Sequence, residues 1–191
     1  MKKFPAIALL TACLAVSAQA SGVAGFEAGY LTDNKDAYWA GRIGWEFKND
    51  ANFSHQVELE YGYTKHSESE VVPVPLGGTI LFNQKTKLQP LTINYRAETT
   101  PADKLGYYFG AGLGETRATL NLPGSGVPSF STSDNAFTVQ AFAGMNYKVT
   151  PNTTLQVGVK YLWIGDVTLF GSIKAKVGDD LALTAGVSVR F

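Results

Sequence analysis

Two histidines, His55 and His66, are the first residues to weigh for acid–base chemistry. Ser54 precedes His55, and Ser67 and Glu68 follow His66. Serine, histidine and a carboxylate are the parts of a hydrolytic triad, which geometry rather than sequence order assembles. At His55 the neighbouring serine is badly placed, because adjacent residues of a strand point to opposite faces. No triad spacing surrounds His66, and solvated histidines are the simpler reading. Gly110, Gly112 and Gly114 fall on every second residue. In a strand that spacing relieves crowding on one face, unlike the turn-forming glycines of a phosphate loop. No metal-ligand spacing occurs. The expectation is therefore no catalytic residue, no metal and no cofactor.

The charges carry more. Glu27, Arg42, Glu46, Glu58, Glu60, Arg96, Lys148, Lys160 and Arg190 each sit in an alternating stretch, on the phase opposite its apolar residues. Both signs are present on that phase. They either pair with one another as a packed polar core or line a pore; confinement favours pairing, since an unpaired buried charge is strongly unfavourable.

The elements that must position them alternate with period two, the mark of a strand with two unlike faces. Eight segments do so, near 22–32, 37–48, 53–64, 86–98, 105–120, 136–149, 153–164 and 181–191. In the second, Trp39, Gly41, Ile43, Trp45 and Phe47 oppose Ala40, Arg42, Gly44, Glu46 and Lys48. In the last, Leu181, Leu183, Ala185, Val187, Val189 and Phe191 oppose Ala182, Thr184, Gly186, Ser188 and Arg190. Asn49–Asn52, Thr99–Asp103 and Thr150–Asn152 read as tight turns, whereas 65–85, 123–135 and 166–179 read as longer connections. Val167–Val177 also alternates and is expected to extend the last two strands. Pro90 marks a bulge or strand edge where the phase can slip.

The 191 residues begin with Lys2 and Lys3, an apolar run from Phe4 to Val16, and Ala18-Gln19-Ala20. That is a secretory signal peptide, 1–20, with cleavage set by the small residues Ala18 and Ala20. Leu10-Thr11-Ala12-Cys13 resembles a lipoprotein box, the rival way of processing it. The domain is then 21–191 and carries no cysteine, since the single Cys13 lies in the leader. Sixteen basic and sixteen acidic residues balance, which argues against nucleic acid. No later segment has the apolar length of a membrane helix. A chain crossing a membrane without such helices must close its strands into a barrel, so that every backbone group is paired. The pattern thus predicts an all-β, eight-stranded antiparallel up-and-down transmembrane β-barrel with apolar residues outward. A soluble barrel would have to crowd Trp39, Trp45, Tyr61, Tyr63, Tyr161 and Trp163 inside and show glycines to water.

Ala18-Gln19-Ala20, the eight strands, Gly158-Val159-Lys160-Tyr161-Leu162 before Gly165-Asp166, and Gly186-Val187-Ser188-Val189-Arg190-Phe191 resemble the small outer-membrane β-barrel family of the OmpA, OmpX and opacity-protein kind. The resemblance spans the whole domain and implies a location in the bacterial outer membrane. It implies that Val187, Val189 and Phe191 form the signal read by the barrel-assembly machinery; Val189 stands where members often carry an aromatic. The chain ends at the barrel, without the peptidoglycan-binding domain of some relatives. The expected role is a non-enzymatic surface or envelope protein whose loops contact a partner or host surface. A small porin-like channel and a lipid A-modifying enzyme using His and Ser are the alternatives. The expected partners include outer-membrane lipid and lipopolysaccharide, whose phosphates Lys85, Lys87, Lys174 and Lys176 could meet. The apolar tracts Val71–Leu76 and Thr79–Phe82 form either a contact patch or internal hairpin packing.

Overall fold

The computed structural model describes residues 21–48, 53–74, 78–99, 104–122, 130–169 and 173–191. The leader, with Ala18 and Ala20, lies outside them, as do the side chains of 68–84 and 168–177. Eight strands follow in order: β1 Ser21–Leu31, β2 Ala37–Lys48, β3 Phe53–Val74, β4 Gly78–Thr99, β5 Leu105–Leu122, β6 Phe130–Lys148, β7 Thr153–Leu169 and β8 Ile173–Arg190. Each pairs antiparallel with its sequence neighbours, and β8 returns to β1, closing the barrel. Below the last rung, Phe191 completes the seam, its N–H donating to the Gly22 carbonyl at 2.9 Å and its carbonyl accepting from the Gly22 N–H at 2.8 Å.

Closure fixes a stagger. From Ser21 the rungs pass through Glu46, Gln56, Arg96, Gly110, Phe142, Lys160 and Ala182 and return to β1 at Leu31, ten residues beyond the start. A stagger of this kind tilts the strands and narrows the interior until side chains fill it. It also brings inward residues from all eight strands onto that path, which no two adjacent strands could do.

The face assignment follows the alternation. Glu58 and Lys160 are each 1% exposed, whereas Ile43 and Phe109 are each 54% exposed on the outside. Polar inside and apolar outside is the reverse of a soluble barrel and suits a lipid surround. Aromatic residues gather near both rims: Tyr30, Trp39, Tyr61 and Tyr63 toward the hairpin end, Trp45, Tyr107, Tyr147 and Phe191 toward the end with the tight turns. On the outer wall Phe26 and Trp39 stack with centroids 5.8 Å apart.

Two glycine positions answer to close approach. The inward ring of Tyr108 lies across the rung Gly144↔Gly158, where a Cβ added at either glycine would run into its hydroxyl. The Phe142 ring lies over Gly110, where a Cβ would come within 2.5 Å. Large inward rings thus fit because the facing strands present glycine.

Two connections differ from the sequence expectation and a third meets it. Residues 65–85 are mostly a continued ladder from Thr64↔Leu88 to Val74↔Gly78 rather than a loop. Val71–Val74 and Thr79–Phe82 have strand propensity, and once the strands are paired below, each further rung closes no new loop. Likewise β5 and β6 pair as far as Leu122↔Phe130, shortening the expected 123–135 connection. The ladder Asp166↔Lys176 to Leu169↔Ile173 extends β7 and β8, as the alternation of Val167–Val177 predicts. Pro90 produces no slip: Tyr61 pairs Leu91 and Thr64 pairs Leu88 in unchanged register, with the intervening rungs missing, because proline has no N–H to give the ladder. The short β1–β2 turn is held from β8. The buried Asp180 carboxylate accepts from the N–H groups of Asp33 (3.1 Å) and Asn34 (3.2 Å) and from Asn34 Nδ2 (2.8 Å).

Candidate functional site

The inward phase of β1, β2, β3, β4 and β7 delivers Glu27, Arg42, Glu58, Glu60, Arg96 and Lys160 to one region of the interior. Arg42 lies 3.2 Å from both Glu27 Oε2 and Glu58 Oε1 and donates to Gln156. Arg96 Nε meets the other oxygen of Glu58 at 3.2 Å. Lys160 bridges Glu27 and Glu60, the latter at 2.7 Å. Glu60 also accepts from Tyr38 Oη (3.1 Å), Asn94 Nδ2 (3.2 Å) and Gln140 Nε2 (3.2 Å). Three acids thus face three bases, and the cluster is charge-balanced. Aromatic faces complete it, with the Arg96 guanidinium 4.5 Å from the Tyr108 centroid and 4.9 Å from that of Phe142. Such pairing offsets the large desolvation penalty of burying each ion.

A second cluster lies toward the tight turns. Arg190 of β8 meets Glu46 of β2 and, at 3.0 Å, Glu98 of β4, and it donates to Thr154 Oγ1 at 3.0 Å. Gln56 Nε2 donates to Glu98 at 3.0 Å. Lys148 stands apart: it is half-buried on the last rung of β6, opposite Thr154, and pairs with no described carboxylate. Partners of these charges beyond the nine themselves include Tyr38, Gln56, Asn94, Glu98, Gln140, Thr154 and Gln156. All have the inward parity of their strands, which is the signal the sequence carries for them; most are uncharged, and Glu98 falls near a strand end.

The two histidines occupy opposite ends of the barrel. His55 is on the outer wall near the tight turns, its Nδ1 against Tyr95 Oη and the rings 5.7 Å apart. His66 lies in the hairpin stem, with Nδ1 2.5 Å from Asp36 Oδ2. They cannot serve one site. Ser54 is buried on the inward phase while its neighbour His55 faces out, as alternation requires. Toward the hairpin end a small open recess is lined by Leu31, Leu88, Pro90, Leu162 and Ile164 together with Asn34, Thr64, Asp179 and Asp180.

A closed eight-stranded barrel with an apolar wall, aromatic rims and an ion-paired interior is joined by a match of residues 6–191 to the outer membrane protein beta-barrel domain. The chain belongs to that family. It is an outer-membrane barrel. Solved structures of the same fold include neisserial surface protein A (20% identity, covering 90% of this chain and 96% of that one, TM-score 0.56). A major outer membrane protein from Thermus thermophilus aligns at 11% identity over 91% of this chain and 100% of that one, with TM-score 0.61. The Yersinia pestis attachment invasion locus protein, Ail, in complex with the heparin analogue sucrose octasulfate, aligns at 14% identity over 90% and 97%, with TM-score 0.52. At these identities the likeness establishes the fold. No curated protein sequence matches the chain significantly.

Proposed function

We propose that this outer-membrane barrel is a non-enzymatic surface or envelope protein: a plugged transmembrane anchor that holds paired hairpins outside the membrane for contact with a partner or host surface. The observation that carries this reading is the central cluster, in which Glu58, Glu60, Arg96 and Lys160 are each at most 2% exposed and joined across the interior. An eight-stranded barrel filled in this way has little room for a continuous aqueous lumen. The ladders of β3–β4, β5–β6 and β7–β8 continue beyond the upper aromatic rim, giving paired stems. Ail, named for attachment and invasion, shares the fold and binds a sulfated sugar analogue, which supports hairpin contact as a use of this architecture.

The channel is the second reading. Among the described residues, Arg96 Nη1, Gln140 Oε1 and both polar side-chain atoms of Asn146 are buried without a hydrogen-bond partner, the observation that favours a hydrated path. Refolded full-length barrel assayed for steady conductance, for hairpin-dependent binding to cells, and for mass change of lipid A separates the readings. Absent conductance, unchanged lipid A and binding that is lost with the hairpins are expected; a stable current or a modified lipid A would replace the proposal. We further propose that Val187, Val189 and Phe191 serve the assembly machinery, with the test given below.

A further inference from the structure

The outward phase just beyond the upper aromatic rim carries a concentration of positive charge that the ion-paired interior does not explain. Lys65 of β3 is two residues past Tyr63 on the same face, about 7 Å along the strand at roughly 3.3 Å per residue. Lys65 lies directly across the rung from Lys87 of β4, and Lys85 follows Lys87 on the same face. Arg117 of β5 pairs with Gln89, one outward position below Lys87. Like charges directly opposite on a ladder repel, so the rung Lys65↔Lys87 is unfavourable unless an external anion sits against it. Among the described residues no carboxylate forms an ion pair with any of the four. Glu115, two residues below Arg117, is the acid that shares the face, and Gln89 donates to Tyr61 Oη at 2.5 Å immediately beneath the cations. At the same end of the barrel, Asp33 and Asp36 lie in the β1–β2 turn with Lys35, and Asp179 and Asp180 lie on β8.

We propose that Lys65, Lys85, Lys87 and Arg117 form a binding site for the phosphate groups of the outer-leaflet glycolipid. The patch faces sideways, on the same wall as the lipid-facing residues and directly above the rim, which is the height of the headgroups. A ligand approaching from solution would meet the hairpin tips first; a phosphorylated headgroup packed beside the barrel meets this wall. Basic residues just outside the apolar layer draw anionic headgroups in this manner, and the attraction weakens with salt. The register, rather than the sequence run, defines the set. Lys65 and Arg117 join Lys85 and Lys87 because three strands bring them together, while the side chains of Lys174 and Lys176 lie outside the described residues.

The test uses the refolded full-length barrel in phosphatidylcholine nanodiscs, with and without added lipopolysaccharide, compared with dephosphorylated lipopolysaccharide, inorganic phosphate and soluble heparin. Lipopolysaccharide is expected to raise the thermal midpoint of the heat-modifiable band, and the triple variant K65S/K87S/R117S to lose at least half of that increment. The dephosphorylated glycolipid and inorganic phosphate should give none of it. Amine acetylation of the wild-type protein supplies a readout that needs no variant: Lys65, Lys85 and Lys87 should become at least threefold protected by lipopolysaccharide, and Lys35, in the β1–β2 turn, unchanged. Equal increments in wild type and variant, equal acetylation with and without glycolipid, or protection by heparin alone would overturn the proposal; the last would assign the patch to a soluble polyanion.

Discussion

Arg42 is held from three strands at once, by Glu27 of β1, Glu58 of β3 and Gln156 of β7. Removing it leaves Glu27 to Lys160 and Glu58 to Arg96 alone, so the buried cluster holds one negative charge in excess. Arg42→Ala should therefore destabilise the barrel by about 3–5 kcal/mol, the usual cost of orphaning a buried charge. Ile43→Ala, one residue along but facing lipid, should cost clearly less because lipid refills the space it leaves. Urea titration of vesicle-inserted protein, followed by the heat-modifiable shift on gels, measures both; equal losses for the two would remove the network from its stabilising role. Phe191 is a different case. Its backbone closes the seam against Gly22, whereas its ring is 73% exposed on the outer wall. Phe191→Ala keeps the backbone bonds and deletes the ring. If the ring is what the assembly machinery reads, this variant should lower outer-membrane levels in cells while refolding normally in purified lipid. Normal cellular levels of the folded band would refute the assembly role, and failed refolding would make the ring structural.

Among the elements, the β3–β4 stem shows most clearly what alternation leaves open. Its upper part is a ladder from Ser67↔Lys85 to Val74↔Gly78, read from sequence as a connection because Pro73, Pro75 and glycines interrupt the pattern. Pairing inherited from the strands below outweighed those signals. The central ion cluster and the seam both lie below this stem, so the barrel does not depend on it. Replacing 68–84 by Asn-Gly, a turn suited to a two-residue hairpin, should leave a heat-modifiable barrel with stability changed by no more than about 1 kcal/mol, the size of an ordinary surface change. Cell binding by the intact protein should fall in the shortened form if the hairpin carries the contact. Retained binding would transfer the contact to the other hairpins, and loss of the folded band would show that the stem is needed for folding.

For the whole molecule the question is whether the interior conducts. The central cluster is balanced in charge, spans the barrel from β1 to β7 and is backed by the rings of Tyr38, Tyr108 and Phe142. The apolar clusters above it, Leu31 with Tyr38 and Leu162, and Ile164 with Val167, narrow the hairpin end. Planar bilayers containing the purified protein should show no steady current above the lipid baseline. A stable single-channel current, together with an Arg42→Ala variant of unchanged stability, would establish the pore instead.

The sequence by itself determined the number of strands, the face each residue occupies and the reversal of polar and apolar faces, because alternation with period two is a local property of the chain. Trp39, Ile43 and Trp45 had to share one wall, and Arg42 and Glu46 the other, whatever β2 paired with. It also indicated that the inward charges would pair, since confinement and desolvation allow little else. Only the tertiary structure decided which charges meet. Lys160 reaches Glu27 and Glu60, 133 and 100 residues away in the chain, because closure with a ten-residue stagger sets β7 across from β1 and β3. It also left Lys148 on the end rung without a partner among the described carboxylates and recruited Glu98, Gln140 and Tyr38. The same register placed Lys65 opposite Lys87. Register is a property of the closed ring, set by all eight ladders together, and no single strand contains it.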